Sequence, residues 1–391
     1  MHILIISTED IWVNGNKLSG IFQIHQAEAL NSQDITANII SPSVHSLKDI
    51  FKINDYTYKI KKIKVKNTNI LKYQKINFIV KSEHMYLNSW LNSGYILFSE
   101  YIKKFGLPDV IHAHNHLFAG VLAYNLSKKY SLPYLVTEHS SEYVKGTLKS
   151  KYIKNKIQQS YNNSSKNIFV SNFLRKKFHH FLELDPTLDT VVYNSLSSEF
   201  ELKYDNDFKN GCNDFVFINV ASLIEIKNQI SLLKSFANTF ANNKKVKLKI
   251  IGDGPLKNEL LNLVKELNIL DQIKFLGRLE SNEVSLEMLN SNAFVLSSIH
   301  ETFGVVVIEA LASGLPVLIS NCGGPEELVN EWKNGLIYKQ EVIGDLDNRL
   351  SEIYENYKKF NKVNISEDAI SLYGREVISN QLIRIYKNMI N

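Results

Sequence analysis

Short, continuously apolar runs alternate with longer amphipathic segments along both halves of the chain. Runs of the first kind are typical of strands buried on both faces, and the second kind is typical of helices. Their alternation predicts βαβ units and parallel sheets covered by helices. The predicted strands are HILIIS, TANIIS, DVIHAH, PYLVTEH, NIFVSN and TVVYN in the first half, then DFVFINVAS, VKLKIIGDG, QIKFLG, AFVLSS and PVLISN in the second. The helical spacing is clearest in QISLLKSFANTFANN and PLKNELLNLVKELNI.

A polar stretch without periodicity, residues 197–213, divides the pattern and predicts a linker. A chain of 391 residues is long enough for two domains, here 1–196 and 214–369. Two doubly wound domains that face each other would share a cleft at the carboxyl ends of their strands, where such folds bind ligands. The last segment, about 370–391, is predicted to be a helix that returns to the N-terminal domain. One apolar stripe of this helix is formed by Ile378, Leu382, Ile385 and Met389.

One apolar run, residues 303–320, is long enough to suggest a membrane span. It is interrupted by Glu309, Gly314 and Pro316, so we reject a transmembrane helix there. The N-terminus, MHILIISTED, lacks the basic region of a signal peptide and is predicted to be a buried strand. Two cysteines, Cys212 and Cys322, without metal-type spacing fit a reducing cytoplasm.

Charge is unevenly distributed along the chain. Residues 1–195 carry 24 Lys and Arg against 14 Asp and Glu, whereas residues 196–391 carry 21 against 26. Much of the positive excess lies in 58–75 and 145–156. Two interpretations stay open: an ordinary solvated surface, or attraction of the N-terminal half to an anionic membrane or acceptor.

The segment HETFGVVVIEALASGLPV carries two acids, Glu301 and Glu309. A buried acid is costly unless something satisfies it. If a helix begins at Gly304–Val305, the N–H groups of Phe303, Gly304 and Val305 form an anion site at its start. Glu309 then lies just over one turn into the helix, where its carboxylate could accept hydrogen bonds from two ribose hydroxyls. Alternatively, Glu309 pairs with a basic neighbour across a buried helix.

Candidate metal motifs are weak. The Asp-x-Asp strings at 205–207 and 345–347 fall in the predicted linker and in a surface-like helix, so we interpret them as solvated acids. Alternate histidines in HAHNH share one face of a strand, but no further ligand motif accompanies them. The sequence has neither a Walker loop nor a GxGxxG fingerprint. We therefore predict no metal site.

The stretch ETFGVVVIEALASGLPVLISNCGGPEELV resembles the E-x7-E region of retaining glycosyltransferases of family 4, which have the GT-B fold of two Rossmann-like domains. Other stretches match that family in order and span nearly the whole chain. They are GIFQIHQAEAL, PDVIHAHN, VTEHSS, VVYNS, VASLIEIKNQISLLKSF, IGDGPLKNEL, FLGRL and YGREVISNQLIRIY.

The resemblance implies roles for the residues around the two acids. Glu309 would hold the ribose hydroxyls of a sugar nucleotide. Glu301 and the backbone of Phe303, Gly304 and Val305 would contact the donor sugar and its diphosphate.

The resemblance assigns five further positions. Lys227 would bind the diphosphate, Gly20 would approach it from the N-terminal domain, and His139 would lie near the donor sugar or the acceptor. Arg278 lies where the family's backbone meets the nucleotide base. Ser222 stands where the family often has an arginine, so the diphosphate would depend more heavily on Lys227.

The implied activity is transfer of a sugar, with retention, from a UDP- or GDP-sugar to a hydroxyl of a glycan or lipid-linked acceptor in bacterial surface-polysaccharide or glycoconjugate assembly. The resemblance implies no cofactor, no metal and no nucleic-acid partner, and it fits a cytoplasmic enzyme peripheral to the inner membrane face. Two alternatives stay open. One is a sugar phosphorylase or sugar-nucleotide epimerase on the same fold, and the other is a non-catalytic subunit that binds a nucleotide sugar.

Overall fold

The structure is a computed structural model that describes residues 1–11, 20–46, 59–77, 82–184, 189–201 and 214–390. The chain divides into two compact units. The first comprises Met1–Ser195 and Arg375–Asn391, and the second comprises Leu196–Gly374. Each unit contains one sheet whose strands are almost all parallel, which confirms the predicted α/β class.

The first unit has eight described strands and seven described α-helices. Its strands are β1 (His2–Ile6), β2 (Thr36–Ser46), β3 (Lys61–Val65), β4 (Thr68–Asn77), β5 (Val110–His114), β6 (Tyr134–Glu138), β7 (Lys166–Phe169) and β8 (Asp189–Val191). Its helices are α1 (Ile21–Asn31), α2 (Glu83–Phe105), α3 (Val121–Tyr130), α4 (Glu142–Lys145), α5 (Lys151–Asn163), α6 (Asn172–Leu182) and, at the end of the chain, α13 (Arg375–Ile390). A π-helical turn, His116–Gly120, precedes α3.

The strands of the first unit follow the order β3-β4-β2-β1-β5-β6-β7-β8. Only the β3–β4 pair is antiparallel among them. Strand β1 lies between β2 and β5, so later strands of the chain are added to the sheet on both sides of it. The N-terminal segment is thus a central strand with four fully buried residues, Ile3 to Ile6, as its apolar run predicts.

Helix α13 packs into the core of the first unit. Ile378, Leu382, Ile383 and Tyr386 belong to the same buried cluster as the strand residues Ile3, Ile5 and Leu135. Ile385 and Met389 of the predicted stripe are partly buried against this cluster. The predicted return of the C-terminal helix to the N-terminal domain is confirmed.

The second unit has six strands and six α-helices among its described residues. Its strands are β9 (Phe215–Val220), β10 (Val246–Ile251), β11 (Ile273–Gly277), β12 (Ala293–Leu296), β13 (Val317–Ser320) and β14 (Gly335–Tyr338). Its helices are α7 (Gln229–Phe240), α8 (Lys257–Glu266), α9 (Ser281–Leu289), α10 (Val305–Ala312), α11 (Asp345–Asn356) and α12 (Lys362–Tyr373). The 3₁₀ turns are Ser198–Phe200, Glu225–Lys227, Gly324–Leu328 and Tyr357–Lys359.

The second sheet is parallel throughout, in the order β11-β10-β9-β12-β13-β14. This is the strand order of a doubly wound nucleotide-binding fold, in which the order of the strands reverses between β9 and β12. Ligands of such sheets bind outside the carboxyl ends of the strands at that reversal. A ligand site is therefore expected at the loops after β9 and β12.

The first segment of the first unit ends at Ser195, one residue before the end of the predicted domain, but the first part of the predicted linker 197–213 lies in the second unit. The N–H of Leu196 donates to the Tyr373 carbonyl (2.8 Å), and Phe200 is buried, so 196–201 belong to the second unit. Residues 202–213, which include the string at 205–207 and Cys212, lie outside the described residues.

The apolar run 303–320 does not form one helix. It forms α10, a turn and β13, which agrees with our rejection of a membrane span. No helix in the described part of the chain combines the length and apolarity needed to cross a bilayer.

Candidate active site

Two loops of the second unit meet at the reversal of its sheet. The loop after β9 ends in the 3₁₀ turn that carries Lys227, and the loop after β12 carries Glu301. The Lys227 ammonium forms an ion pair with Oε1 of Glu301, and both side chains are partly exposed. The Ser298 hydroxyl donates to the same oxygen (2.8 Å). The structure thus brings together two of the residues that the sequence selected, 74 positions apart.

Backbone contacts hold these loops in register. The N–H of Ile299 donates to the carbonyl of Ile226 (2.8 Å), and the buried Ser297 hydroxyl donates to the carbonyl of Lys227 (2.8 Å). Because these two hydrogen bonds also join the loops, Lys227 and Glu301 are held by more than their mutual attraction.

A second contact fixes the other side of the Glu301 loop. The N–H of Glu301 donates to the Cys322 carbonyl (2.8 Å), and its own carbonyl accepts from Gly324 (3.0 Å). A Cβ at Gly324 would lie 2.0 Å from the carbonyl oxygen of Thr302, so only glycine permits this approach. In the same turn the N–H of Gly323 donates to Glu326. The amides of this glycine-rich turn are therefore engaged within the protein.

Helix α10 begins at Val305, as the sequence predicts. Gly304 precedes it with a φ of +85°, a left-handed conformation that favours glycine, and a Cβ there would lie 2.8 Å from Cγ of Pro325. The first amides of a helix have no intrahelical acceptor, so the start of α10 presents N–H groups of the kind that bind anions. Phe303 is buried beside Tyr373, so its aromatic ring is part of the core.

Glu309 lies one turn into α10 and is partly exposed. Burial, together with the nearby Glu199 carboxylate, raises the pKa of its carboxyl to about 8. Among the described residues no group donates a hydrogen bond to the Glu309 side chain, and no basic residue pairs with it. The alternative of a buried ion pair therefore finds no support in the described part of the unit.

The two remaining positions of the second unit lie in the loops after β9 and β11. Ser222 follows β9, is exposed, and accepts from the Gln229 side chain through its carbonyl (3.1 Å). Arg278 follows β11 and is exposed. Because β10 lies between β11 and β9, Arg278 is at a different strand end from Lys227.

The glycines of the IGDGP turn are needed for packing. A Cβ at Gly252 would lie 1.9 Å from the Ala221 carbonyl oxygen, and one at Gly254 would lie 2.4 Å from that of Leu223. The amide of Gly252 donates to Gly277 (2.8 Å). This turn supports the loop after β9 by close backbone approach.

Gly20 and His139 belong to the first unit. Gly20 precedes α1 with a φ of +74°, and a Cβ there would lie 2.4 Å from Cγ1 of Ile11. Its amide donates to the Glu9 carboxylate (2.7 Å). A diphosphate could use this particular amide only by displacing Glu9, a constraint that the sequence did not reveal.

His139 follows β6 at the carboxyl edge of the first sheet. Its Nε2 lies 2.9 Å from Nδ1 of His114, and the two rings are stacked. Nδ1 of His112 contacts the hydroxyl of Tyr386 in α13 (2.6 Å), and its Nε2 contacts Thr137 (2.7 Å). Burial lowers the pKa of His139 to about 4 and that of His112 to about 3. These rings are therefore neutral at physiological pH.

Sequence reasoning missed Glu138, which is fully buried beside His139. Its Oε1 accepts from the amides of His139 (3.0 Å) and Ser140 (2.8 Å). Its Oε2 accepts from the His116 amide (2.9 Å) and the Tyr143 hydroxyl (3.1 Å). Burial raises its pKa to about 7, although these donors act in the opposite direction.

The weak metal motifs have other partners. His116 Nδ1 contacts the Ser160 hydroxyl (3.2 Å). Asp345 and Asp347 lie in the first turn of α11, where Asp345 accepts from the Lys339 amide (2.6 Å). Over the residues that the structure describes, no group of three His, Cys, Asp or Glu side chains could hold a metal ion.

Comparison with known proteins decides the family. Residues 203–368 match the family model Glycosyl transferases group 1, and residues 71–200 match Glycosyltransferase Family 4. The chain is a GT-B glycosyltransferase. An uncharacterised glycosyltransferase of Methanocaldococcus jannaschii is 29% identical over 273 residues, 68% of this chain and 71% of the relative. The alpha-monoglucosyldiacylglycerol synthase of Acholeplasma laidlawii is 25% identical over 305 residues, 72% of this chain and 76% of the relative.

A solved structure supports the same fold for the transferase. Anabaena HepE in complex with UDP aligns with a TM-score of 0.73 and 18% identity, covering 99% of this chain and 100% of that one. At this identity the likeness concerns the fold.

Proposed function

We propose that this transferase moves a sugar, with retention of configuration, from a nucleoside-diphosphate sugar to a hydroxyl of a glycan or lipid-linked acceptor. The observation that carries the proposal is the paired Lys227 and Glu301 at the reversal of the second sheet, beside the start of α10. The structural likeness to a protein in complex with UDP supports a nucleotide donor.

The chemistry of the leaving group fits this arrangement. Cleavage of a sugar–phosphate bond develops negative charge on the diphosphate. Fixed cationic and N–H donors that meet this charge each contribute about 3–4 kcal/mol to transition-state stabilisation. We assign this role to Lys227 and to the first amides of α10. Glu309, an acid without a donor among the described residues, would hold the ribose hydroxyls.

We propose that Glu301 positions groups rather than attacking the sugar. Its Oε1 already accepts from Lys227 and Ser298, and its backbone is fixed on both sides. Retention would then proceed by attack on the face that the diphosphate leaves, with the leaving phosphate helping to deprotonate the acceptor. No cofactor or metal is part of this proposal, since a lysine and helix amides supply the positive charge. His139 would contact the donor sugar or the acceptor.

The acceptor proposal rests on charge and on one relative. Lys145, Lys149 and Lys151 are exposed, as are Lys62 and Lys64 of the β3–β4 hairpin. One relative is named for a glucosylated diacylglycerol. We propose a lipid-linked or otherwise anionic acceptor in surface-glycan assembly, reached at the inner membrane face.

Co-sedimentation with vesicles tests this part separately. Binding to anionic vesicles that weakens with salt, and weaker binding to neutral vesicles, is the expected result. Equal binding to both would remove the electrostatic argument.

The reaction itself is tested with a panel of UDP-, GDP- and ADP-sugars and simple acceptors. Transfer or slow hydrolysis of one donor, with the anomeric configuration of the product read by NMR, is expected to show retention. An inverted product would refute the stereochemistry. A panel in which no donor is bound or turned over would refute the proposed activity.

Two alternatives are separated by the same samples. A phosphorylase would consume orthophosphate with a disaccharide, and an epimerase would convert a nucleotide sugar without an acceptor. A non-catalytic subunit would bind a donor tightly and leave it intact over long incubation.

A further inference from the structure

We propose that Glu138 is a positioning residue, which sets the place of His139 by binding the backbone at the end of β6. This inference rests on the proposed function, because it gives His139 a role at the reacting sugar or acceptor. Nothing in the family resemblance assigned a role to Glu138.

The two side chains lie on opposite faces of the sheet. Successive residues of a strand point to opposite sides, so Thr137 and His139 face one way and Glu138 faces the other. The contacts agree with this: His139 stacks on His114 and Phe22, whereas Glu138 meets Tyr143 and the amide of His116. Glu138 therefore does not contact the His139 ring and influences His139 through the backbone amide of His139.

The carboxylate joins two strand ends. One oxygen accepts from His139 and Ser140, which follow β6, and the other accepts from His116, which follows the neighbouring strand β5. The amide of His139 also donates to the side chain of Asn115 (2.9 Å), a residue held at a φ of +73°. The backbone that carries His139 is thus tied to the loop after β5 from two sides.

An acceptor-only group is required at this position. An ionised carboxylate has acceptor sites for all four donors, whereas an amide must present its own N–H₂ to two of them. A buried donor without an acceptor is costly. Burial opposes ionisation and raises the Glu138 pKa to about 7, whereas the four donors favour the carboxylate, which can accept from all of them above this pH.

The first test needs no activity. Hydrogen exchange read by mass spectrometry on the segment around 137–141 should show slow exchange of the His139 and Ser140 amides in the wild-type chain. Glu138→Gln should accelerate their exchange, and Tyr143→Phe, which removes only a donor to the other oxygen, should leave it unchanged. Rapid exchange in the wild-type chain would refute the proposal even if Glu138→Gln does not fold.

The second test is a double-mutant cycle in the transfer assay. Glu138→Gln is expected to lower kcat by about tenfold or more, because a charge-assisted hydrogen bond is lost. In a His139→Ala background the same change should lower kcat by less than about threefold, because the imidazole that Glu138 positions is absent. If the loss of kcat in the double variant equals the product of the two single losses, Glu138 acts independently of His139 and the proposal is overturned. An inactive wild-type chain with protected amides would instead refute the proposed function alone.

Discussion

At the scale of single residues, the two acids of HETFGVVVIEALASGLPV have different surroundings. Glu301 is neutralised by Lys227 and fixed through its backbone, whereas Glu309 has another acid, Glu199, as its charged neighbour. The first is therefore suited to hold a cation in place. The second is suited to receive hydroxyl donors from a ligand.

The raised pKa of Glu309 predicts a pH-dependent stability. Its pKa of about 8 lies above its ordinary value of 4.5, so the folded chain binds more protons than the unfolded chain between these values. The contribution of this group to stability must then fall as the pH rises through that range. As the pH rises from 5 to 8, Glu309→Gln should gain at least about 2–4 °C in Tm relative to wild type. The exposed Glu355→Gln is the control, and an identical pH dependence in Glu309→Gln and wild type would contradict the assignment.

Lys227→Met should reduce turnover more than donor binding, because the charge on the diphosphate grows as the bond breaks. We expect a loss of roughly 100-fold or more in kcat with a smaller change in donor KM. Lys234→Met, an exposed lysine of α7, controls for the loss of one positive charge. Equal losses in both variants would show that Lys227 has no local role.

The sequence indicated some members of the site and could not indicate others. Lys227, Glu301 and Glu309 lie in stretches with a recognisable pattern. Glu138 lies in a matched stretch too, but its significance comes from His116 and Tyr143, which no spacing connects to it. The acid next to Glu309 was missed for the same reason, since Glu199 lies 110 positions earlier in a stretch interpreted as linker.

At the scale of elements, the loop after β9 depends on a glycine in the loop after β10. Gly252→Ala and Gly344→Ala both place a side chain at positive φ, but only the first creates a clash, with Ala221. The strain of the left-handed conformation costs about 1–2 kcal/mol in both. We expect Gly252→Ala to lose at least about 2 kcal/mol more in the free energy of unfolding, because a side chain forced into a packed region adds strain. Equal losses in chemical denaturation would contradict the close approach.

Helix α13 supplies part of the first unit's core, which gives a prediction local to that unit. Leu382→Ala should cost about 2–5 kcal/mol, and hydrogen exchange should rise in β1 and β5 but not in β9 and β12. Leu372→Ala, at an exposed position of α12, is the matched control. Increased exchange confined to the second sheet would contradict the packing of α13 into the first unit.

The elements that the sequence failed to predict are short or charged. Strands β3 and β4 fall in the lysine-rich stretch 58–75, where the charge obscured alternating Ile and Val. Lysines on an edge strand such as β3 also discourage pairing with other chains. Strand β14 has four residues, too few to establish a period. Long apolar runs were predicted well because a parallel strand is buried on both faces.

At the scale of the whole molecule, the strand order of the second sheet is stronger evidence for the location of the site than any single motif. The second sheet reverses between β9 and β12, and the paired Lys227 and Glu301 follow those two strands. The division into two α/β units was predictable from the repeated pattern. The packing of 197–201 in the second unit was not, because this segment is polar and was interpreted as linker.

The measurement that tests the central claim most directly is the thermal unfolding of the purified chain across UDP-, GDP- and ADP-sugars. A ligand that binds the folded state raises its apparent stability according to its concentration and affinity. We predict that at least one of these donors raises the Tm of the wild-type chain, and that Glu309→Ala strongly reduces this increase. No increase with any nucleotide sugar, or an equal increase in wild type and Glu309→Ala, would contradict the account.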